Sequence, residues 1–272
     1  MEGGTITVKY MHFHASCSYC ALAAMLETMG IETEDAQIAR EMKLPWLFTK
    51  EGDTYLSGPM LQGKKWFDLW LNPRGFAFSE TVIAREALTS TLQQVHFPVM
   101  LGLQTQYGKH AAVFLRYDGV YHFFNPTHEG SDERTELSLS EDELLQSVDS
   151  VVMLGQFSRA VPNVQRLTPL LQESILVLRE NVEEIEKYAS IPHAPEDYLP
   201  AMNRLFRPLL LDGISMLQLT GETALVLGFS ALQRNLMDFL RSPRVSVLSA
   251  SLSLETLHTL SEQYVQLIKK QL

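Results

Sequence analysis

The period of the apolar residues changes at about residue 161, and this change constrains the fold more than any other feature. Before it, short alternating segments typical of strands are mixed with short helices. A chain of 272 residues is long enough for two domains. The pattern predicts an α+β domain over residues 1–160 and an all-α helical bundle domain over residues 161–272. The predicted bundle helices are 169–188, 200–219, 222–240 and 253–271.

Composition and charge exclude several classes of function. The chain carries 32 acidic and 22 basic residues, a net charge of −10, and has no Lys/Arg cluster that would bind phosphates. We therefore expect no nucleic-acid partner. The first residues lack the charged and apolar regions of a secretory signal, and no apolar run reaches the ~18 residues that span a bilayer. The sequence thus predicts a soluble cytoplasmic protein with no membrane partner.

Aromatic side chains are concentrated between residues 46 and 78, a stretch that is also rich in Gly and Pro. No clear period runs through it, so we expect loops with one short helix over 64–71. We expect the aromatic rings to fill the core in preference to lining a cleft.

Both cysteines of the chain, Cys17 and Cys20, open an apolar, Ala-rich segment that is typical of a helix and ends at Gly30. An extended segment, 5–10, comes before it. Unpaired N–H groups at a helix N-terminus stabilise negative charge, and this lowers the pKa of a thiol placed there. Because the thiolate is the nucleophilic form, the sequence predicts a reactive cysteine at the start of the first helix.

A catalytic thiol needs a base, and the base needs a group that holds its tautomer. Two strand-like runs flank Asp118-Gly119, a strong hairpin signal. His110 begins the first run and Asn125 ends the second. Since a hairpin at this turn brings the two ends together, His110 is the candidate base and Asn125 its candidate orienter.

These elements together resemble the papain-like cysteine peptidases of the bacteriocin-leader-processing (double-glycine leader peptidase) type and related bacterial acyltransferase-like domains. In that family the nucleophilic cysteine opens a helix that ends in Gly thirteen residues later, as Cys17 and Gly30 do. A Pro-apolar strand, a Gly-His-apolar strand and a closing Asn-Pro follow, here FPVMLGL, GKHAAVFLRYDGVYHFF and Asn125-Pro126. The resemblance covers about residues 10–155. It implies that Cys17, not Cys20, is the nucleophile.

The sequence departs from the family at the oxyanion hole. The family places a Gln six residues before the nucleophile as a hydrogen-bond donor, and Met11, which cannot donate, stands there. His12 and His14 are the candidate oxyanion donors in its place. Loss of one such donor costs about 10²–10³ in rate, so either a neighbouring His fills the role or the activity is altered or absent.

The resemblance implies a cysteine hydrolase that cleaves an amide through a thioester acyl-enzyme at Cys17. Two alternatives stay open: an acyltransferase of the same fold with an amine acceptor, and a degenerate binding or scaffold protein. The expected partner is a peptide or a small-molecule amide or acyl substrate, with no cofactor and no metal. Self-association through the helical domain is a secondary expectation.

Two other interpretations concern the cysteine segment alone. Cys17-Ser18-Tyr19-Cys20 has the CxxC pattern of a thiol-disulfide oxidoreductase, but that interpretation leaves the His110 hairpin without a role. Together with His12 and His14, the cysteines form a cluster of residue types that can act as zinc ligands. Four ligands within nine residues are sterically tight for a tetrahedron. Both interpretations are therefore less favoured than the hydrolase.

Overall fold

The structure is a computed structural model, and it describes residues 8–95, 98–105, 108–241 and 247–272. Its helices are α1 Cys17–Glu27, α2 Asp35–Glu41, α3 Lys64–Leu71, α4 Leu88–Gln94, α5 Glu141–Gln146, α6 Thr168–Ala189, α7 Tyr198–Ala201, α8 Gly213–Thr220, α9 Thr223–Arg241 and α10 Leu254–Lys269. Its strands are β1 Phe48–Glu51, β2 Thr54–Ser57, β3 Phe76–Ala84, β4 Val99–Thr105, β5 Gly108–Tyr117, β6 Tyr121–Phe124, β7 Glu136–Leu139 and β8 Val151–Arg159. Residues 5–7 of the predicted extended segment 5–10 lie outside the described residues.

The chain divides into two compact units. Unit 1 contains the described residues of Met1–Met42 and Gln62–Gln165, and unit 2 contains those of Lys43–Leu61 and Arg166–Leu272. The sequence predicts two contiguous domains that meet near residue 160. The structure differs from this in one respect, because residues 43–61 belong to unit 2 together with the C-terminal helices.

Unit 1 is built on an antiparallel sheet of six strands in the order β3-β8-β4-β5-β6-β7. Helix α1 packs against β5 and β4, and α3 packs against β3. The predicted α+β class, with a cysteine-bearing helix on an antiparallel sheet, is confirmed.

Buried apolar side chains fill unit 1. One cluster lies between the sheet and helices α4 and α5, and it consists of Leu88, Leu92, Val99, Leu101, Leu103, Ala112, Phe114, Tyr121, Phe123, Leu144, Val148, Val152 and Leu154. The aromatic residues between positions 46 and 78 are also buried. Trp46 lies in unit 2, and the others lie in unit 1: Trp66, Phe67, Trp70, Phe76 and Phe78. The prediction that these rings fill the core is confirmed.

The predicted loops between residues 45 and 78 are wrong in part. Helix α3 has the predicted bounds, but the hairpin of β1 and β2 and the start of β3 are not among the predicted elements. Strand β7 was likewise not predicted. Strands of four residues, such as β1, β2 and β7, are too short to establish an alternating pattern, so pairing with a neighbour decides their structure.

Unit 2 combines the four long helical segments with the small β1-β2 hairpin. The Phe48 backbone N–H donates to Ser174 Oγ of α6 at 2.9 Å, and Tyr264 of α10 donates its hydroxyl to the Pro45 carbonyl at 2.6 Å. The Tyr264 ring meets Trp46 and Phe48 edge to face. The predicted helical C-terminal region is confirmed, and the structure adds a two-stranded sheet to it.

The predicted helix 200–219 contains two π-helical segments, Met202–Phe206 and Pro208–Asp212. Asp212 ends the second of them with a fully buried side chain, and Arg207 Nε donates to its Oδ2 at 3.0 Å. Its other oxygen has no hydrogen-bond partner among the described residues. Burial outweighs the attraction of Arg207 and raises the pKa of Asp212 to about 6.

From the raised pKa of Asp212 we expect the free energy of unfolding of unit 2 to increase as the pH falls from 7 to 5. The folded state holds the Asp212 proton more tightly than the unfolded chain, whose carboxyl has a pKa of 3.8, so the contribution grows below pH 6 and is lost above it. From pH 7 to pH 5 the gain is about 1 kcal/mol. Hydrogen exchange of peptides from residues 198–220 measures it. In Asp212→Asn we expect this increment to disappear, and an equal increment in both proteins would refute the assignment.

None of the helices in the described ranges combines the length and the apolar content that crossing a bilayer requires.

Candidate active site

Cys17 is the first residue of α1, and its side chain is partly buried. Ala15, two residues earlier, has a φ of 55°, a left-handed conformation that is uncommon for a residue with a Cβ. The turn at Ala15 directs the chain into the helix. The backbone N–H groups of Cys17 and Ser18 hydrogen-bond to the Cys17 sulfur, as does the N–H of Ala111 on β5.

The pKa of Cys17 reflects two opposing effects. The three backbone N–H groups lower the pKa of the thiol, as the sequence analysis predicts for a helix N-terminus. Burial raises the pKa and is the larger effect, so the net direction is upward from the ordinary value of 9.0. The prediction of a lowered pKa is therefore wrong, and Cys17 is a protonated thiol near neutral pH.

The β5-β6 hairpin turns at Asp118-Gly119, as predicted, and pairs Val113 with Phe124. His110 lies near the start of β5 and Asn125 follows the end of β6. His110 Nδ1 is 3.0 Å from Asn125 Oδ1. The hairpin thus joins two side chains that are fifteen residues apart in the sequence.

A second set of contacts fixes the orientation of Asn125. Its side-chain Nδ2 donates to the Arg134 carbonyl at 2.9 Å, and its backbone N–H donates to the Thr135 carbonyl at 2.8 Å. Oδ1 is therefore the atom that faces His110, and it accepts from Nδ1–H. This leaves Nε2 of His110 without the proton, which is the tautomer that a general base requires.

The pKa of His110 is lower than its ordinary value of 6.5, chiefly because the ring is partly buried. The hydrogen bond that His110 donates to Asn125 and the nearby charge of Glu133 raise the pKa, while His128 lowers it further. The ring of His110 is therefore neutral at pH 7. Together with the raised pKa of Cys17, this gives a neutral pair of thiol and imidazole.

The structure brings His110 and Asn125 into contact. It places the Cys17 sulfur within hydrogen-bond reach of the backbone of Ala111, which follows His110. Two elements carry this arrangement, because α1 packs on β5 and presents its N-terminus to the segment around Ala111. The predicted roles of Cys17, His110 and Asn125 stay predictions on this geometry.

The candidate oxyanion donors lie in the segment before α1. His12 Nδ1 is 2.6 Å from Asp35 Oδ1, and its Nε2 is 3.7 Å from Glu34, so both ring nitrogens face carboxylates of α2 or its N-cap. His14 is exposed, next to the left-handed Ala15. Contacts of His12 thus fix the segment before α1, and the oxyanion roles of His12 and His14 stay predictions.

Met11 stands where the family has its oxyanion Gln. Both its backbone N–H and its backbone carbonyl form hydrogen bonds. Its N–H donates to the Thr127 carbonyl at 2.8 Å, and its carbonyl accepts from His128 Nδ1 at 2.9 Å. Tyr10 forms a single parallel bridge with Thr127. The segment before α1 is therefore attached to the loop that follows Asn125.

Cys20 is buried in α1, and burial raises the pKa of its thiol far above the usual range. Both cysteines are free thiols. Across the described ranges, no three His, Cys, Asp or Glu side chains are grouped as metal ligands. The CxxC and zinc interpretations gain no support from these positions.

Sequence reasoning missed several residues around the site. Glu133 and His128 act on the charge of His110, and the Arg134 carbonyl holds the Asn125 amide. All three lie in a polar loop that carries no periodic pattern, so only the tertiary structure brings them to the site. The sequence gives no signal for Asp35, whose side chain is fully buried beside α1.

An open pocket of about 580 Å³ adjoins the loop that holds Asn125. Tyr10 and Thr127 line one part of it, and Glu133, Arg134 and Glu136 contribute charged side chains. Its lining also includes Thr135, and the carbonyls of Arg134 and Thr135 are the ones that hold Asn125.

No family model matches the sequence, and no curated protein matches it. Two solved structures are similar in fold. One is the peptidase domain of Streptococcus ComA, a bifunctional ABC transporter involved in a quorum-sensing pathway, with 11% identity, a TM-score of 0.37, and coverage of 55% of this chain and 98% of that domain. The other is described as a C39-like peptidase from Bacillus anthracis, with 13% identity, a TM-score of 0.36, and coverage of 57% of this chain and 96% of that one. Both are described as peptidases or peptidase domains.

Proposed function

We propose that this protein is a cysteine hydrolase that cleaves an amide through an acyl-enzyme at Cys17. The observation that carries the proposal is the His110–Asn125 hydrogen bond of 3.0 Å, with the Asn125 amide held by the Arg134 carbonyl. This pair prepares an imidazole whose Nε2 can accept a proton. The backbone N–H of Ala111, the residue after His110, donates to the sulfur of Cys17.

The pKa directions define how the thiol is activated. Because Cys17 holds its proton and His110 is neutral at pH 7, the resting state is not a thiolate–imidazolium ion pair. Nε2 of His110 accepts the thiol proton as the sulfur attacks the substrate carbonyl. The backbone N–H groups at the start of α1 stabilise the negative charge that develops.

The remaining steps follow from the same groups. His110 returns the proton to the leaving amine, the C–N bond breaks and a thioester forms at Cys17. In hydrolysis, His110 takes a proton from water, whose oxygen attacks the thioester and releases the acid and the thiol. If an amine attacks in place of water, the same acyl-enzyme makes the protein an acyltransferase. The proposed substrate is a peptide or a small-molecule amide or acyl compound.

One observation favours a second candidate, a scaffold protein without activity. Met11 has no side-chain donor, and its backbone N–H is already bonded to Thr127. An oxyanion would therefore receive no hydrogen bond from the residue at position 11. A protein of this kind would bind an acyl compound without forming a covalent bond.

Acetylation of Cys17 by p-nitrophenyl acetate separates the two candidates, and mass spectrometry identifies the modified peptide. For a hydrolase or acyltransferase we expect acetyl-Cys17 together with a burst of nitrophenolate, and no adduct on the buried Cys20. In Cys17→Ser the burst should disappear. A protein that shows no burst and no adduct on Cys17 at neutral pH would be the scaffold.

The pH dependence of this burst tests the neutral pair. The rate is expected to fall about tenfold per unit once the pH drops below the lowered pKa of His110, which lies under 6.5, since imidazolium cannot accept a proton. Between pH 7.5 and 9 we expect no decrease, because His110 is already neutral there. A decrease in that range would mean that the imidazolium is needed, and would contradict the neutral pair.

A further inference from the structure

Asp35 is a buried carboxylate that gathers hydrogen bonds from the segment just before Cys17. Its side chain is fully buried at the start of α2. Oδ2 accepts from the His12 backbone N–H at 2.9 Å and from Ser16 Oγ at 2.6 Å. Oδ1 lies 2.6 Å from His12 Nδ1 and accepts from the Ala36 N–H at 2.7 Å. Such a carboxylate can hold the geometry of the whole segment.

Ser16 occupies the N-cap position of α1 but does not cap the helix. A serine at this position normally accepts a hydrogen bond from the N–H of the second or third helical residue, here Ser18 or Tyr19. The Ser16 side chain makes no such bond, and its hydroxyl donates to Asp35 instead. Ser16 itself is fully buried, so water does not compete for the hydroxyl.

Because Ser16 does not cap α1, the N–H groups of the first helical residues are free to interact with the Cys17 sulfur. The N–H groups of Cys17 and Ser18 both hydrogen-bond to the Cys17 sulfur. If the Ser16 hydroxyl accepted from the Ser18 N–H, it would take one of these donors away from the sulfur. With Met11 in place of a side-chain donor, these N–H groups matter more here than in a site that has one.

We propose that Asp35 is a positioning residue for Cys17, which holds the Ser16 hydroxyl away from the N-terminus of α1 and so reserves the Ser18 N–H for the sulfur. The inference rests on the proposed function, because it assigns Asp35 a part in activating the same thiol. It adds to that function a residue from α2 that does not touch the substrate.

The sign of a pKa change tests this role. In Asp35→Ala the Ser16 hydroxyl is released and can cap α1, so we expect the pKa of Cys17 to rise by about one unit and the alkylation rate at pH 7 to fall about tenfold. Simple loss of a nearby negative charge would lower the pKa of the thiol instead. The measurement is the rate of iodoacetamide alkylation of Cys17 in the full chain as a function of pH, read by mass spectrometry.

A double variant separates capping from general damage to the segment. In Ser16→Ala/Asp35→Ala no hydroxyl can cap the helix, so the midpoint of the alkylation profile should return to the wild-type value or below it. If Asp35 only stabilises the fold, the double variant would stay as slow as Asp35→Ala. Glu34→Gln is the matched control, because it removes an exposed carboxylate one residue away and should leave the midpoint within about 0.2 units.

Two outcomes would overturn the proposal: a midpoint that falls or stays constant in Asp35→Ala, or a double variant that is not rescued. Should Asp35→Ala not fold, Asp35→Asn gives the same comparison, since an amide offers one acceptor oxygen to the donors that the carboxylate binds with two. The proposed function has its own readout in the acetylation of wild-type Cys17. A wild type that alkylates but never acetylates would remove the function and leave the effect of Asp35 on the thiol measurable.

Discussion

Replacing His110 with alanine should slow the acetylation of Cys17 by p-nitrophenyl acetate about 10²–10⁴-fold at pH 7, the usual contribution of a positioned general base. The reason is the neutral resting state. Since burial keeps the Cys17 thiol protonated, little thiolate is present at this pH to react without a base. The burst of nitrophenolate in the first turnover reports the acylation step, and circular dichroism verifies that the variant is folded.

His122→Ala is the control for this experiment. His122 lies on β6 of the same hairpin, where it bonds to Asp118 at 2.8 Å and to Ser138 at 3.0 Å. Its loss changes the hairpin without touching the site, and we expect acetylation within about twofold of wild type. A His110→Ala protein that acetylates as fast as the His122→Ala protein would show that His110 is not the base.

The orienter gives a graded version of the same test. Asn125→Ala leaves the His110 imidazole in place but removes the oxygen that selects the Nδ1–H tautomer. The loss of rate should therefore be smaller than that of His110→Ala, because a fraction of the rings still presents an unprotonated Nε2.

The sequence was sufficient to predict the parts of the site that depend on local patterns. A helix that begins at Cys17 follows from its apolar residues and from Gly30, whose φ of 77° ends the turn after it. The hairpin follows from Asp118-Gly119, and the meeting of His110 and Asn125 follows from the hairpin. In each case the deciding contacts are close in sequence or joined by one tight turn.

The sequence was not sufficient where burial or a distant partner decides. The direction of the Cys17 pKa depends on how deeply the sulfur is covered, which no pattern of residues reports. Asp35 and the Ser16 hydroxyl meet only because α1 and α2 pack together. The position of residues 43–61 in unit 2 likewise depends on contacts with helices more than a hundred residues away, such as the bond from Phe48 to Ser174.

The packing that supports α1 predicts a large loss of stability in unit 1 when one buried ring is removed. Phe67 of α3 stands between Tyr19 of α1, at 5.3 Å between ring centroids, and Phe78 of β3, at 5.0 Å, with edge-to-face geometry on both sides. All three rings are almost fully buried. The Phe67 ring therefore couples the cysteine-bearing helix to the sheet through contacts that a smaller side chain cannot make.

Phe67→Ala should lower the free energy of unfolding of unit 1 by about 3–5 kcal/mol, the usual cost of removing a buried phenylalanine ring. Cys20 provides the measurement, because its buried thiol reacts with iodoacetamide only when α1 separates from its neighbours. If unit 1 refolds faster than the exposed thiol reacts, the alkylation rate follows the population of the open form. We then expect it to increase by about 10²-fold or more. Val82→Ala removes a side chain from β3 that is 65% exposed, and this control should change the rate less than about twofold. Equal rates in the two variants would mean that the ring of Phe67 does not hold α1 in place.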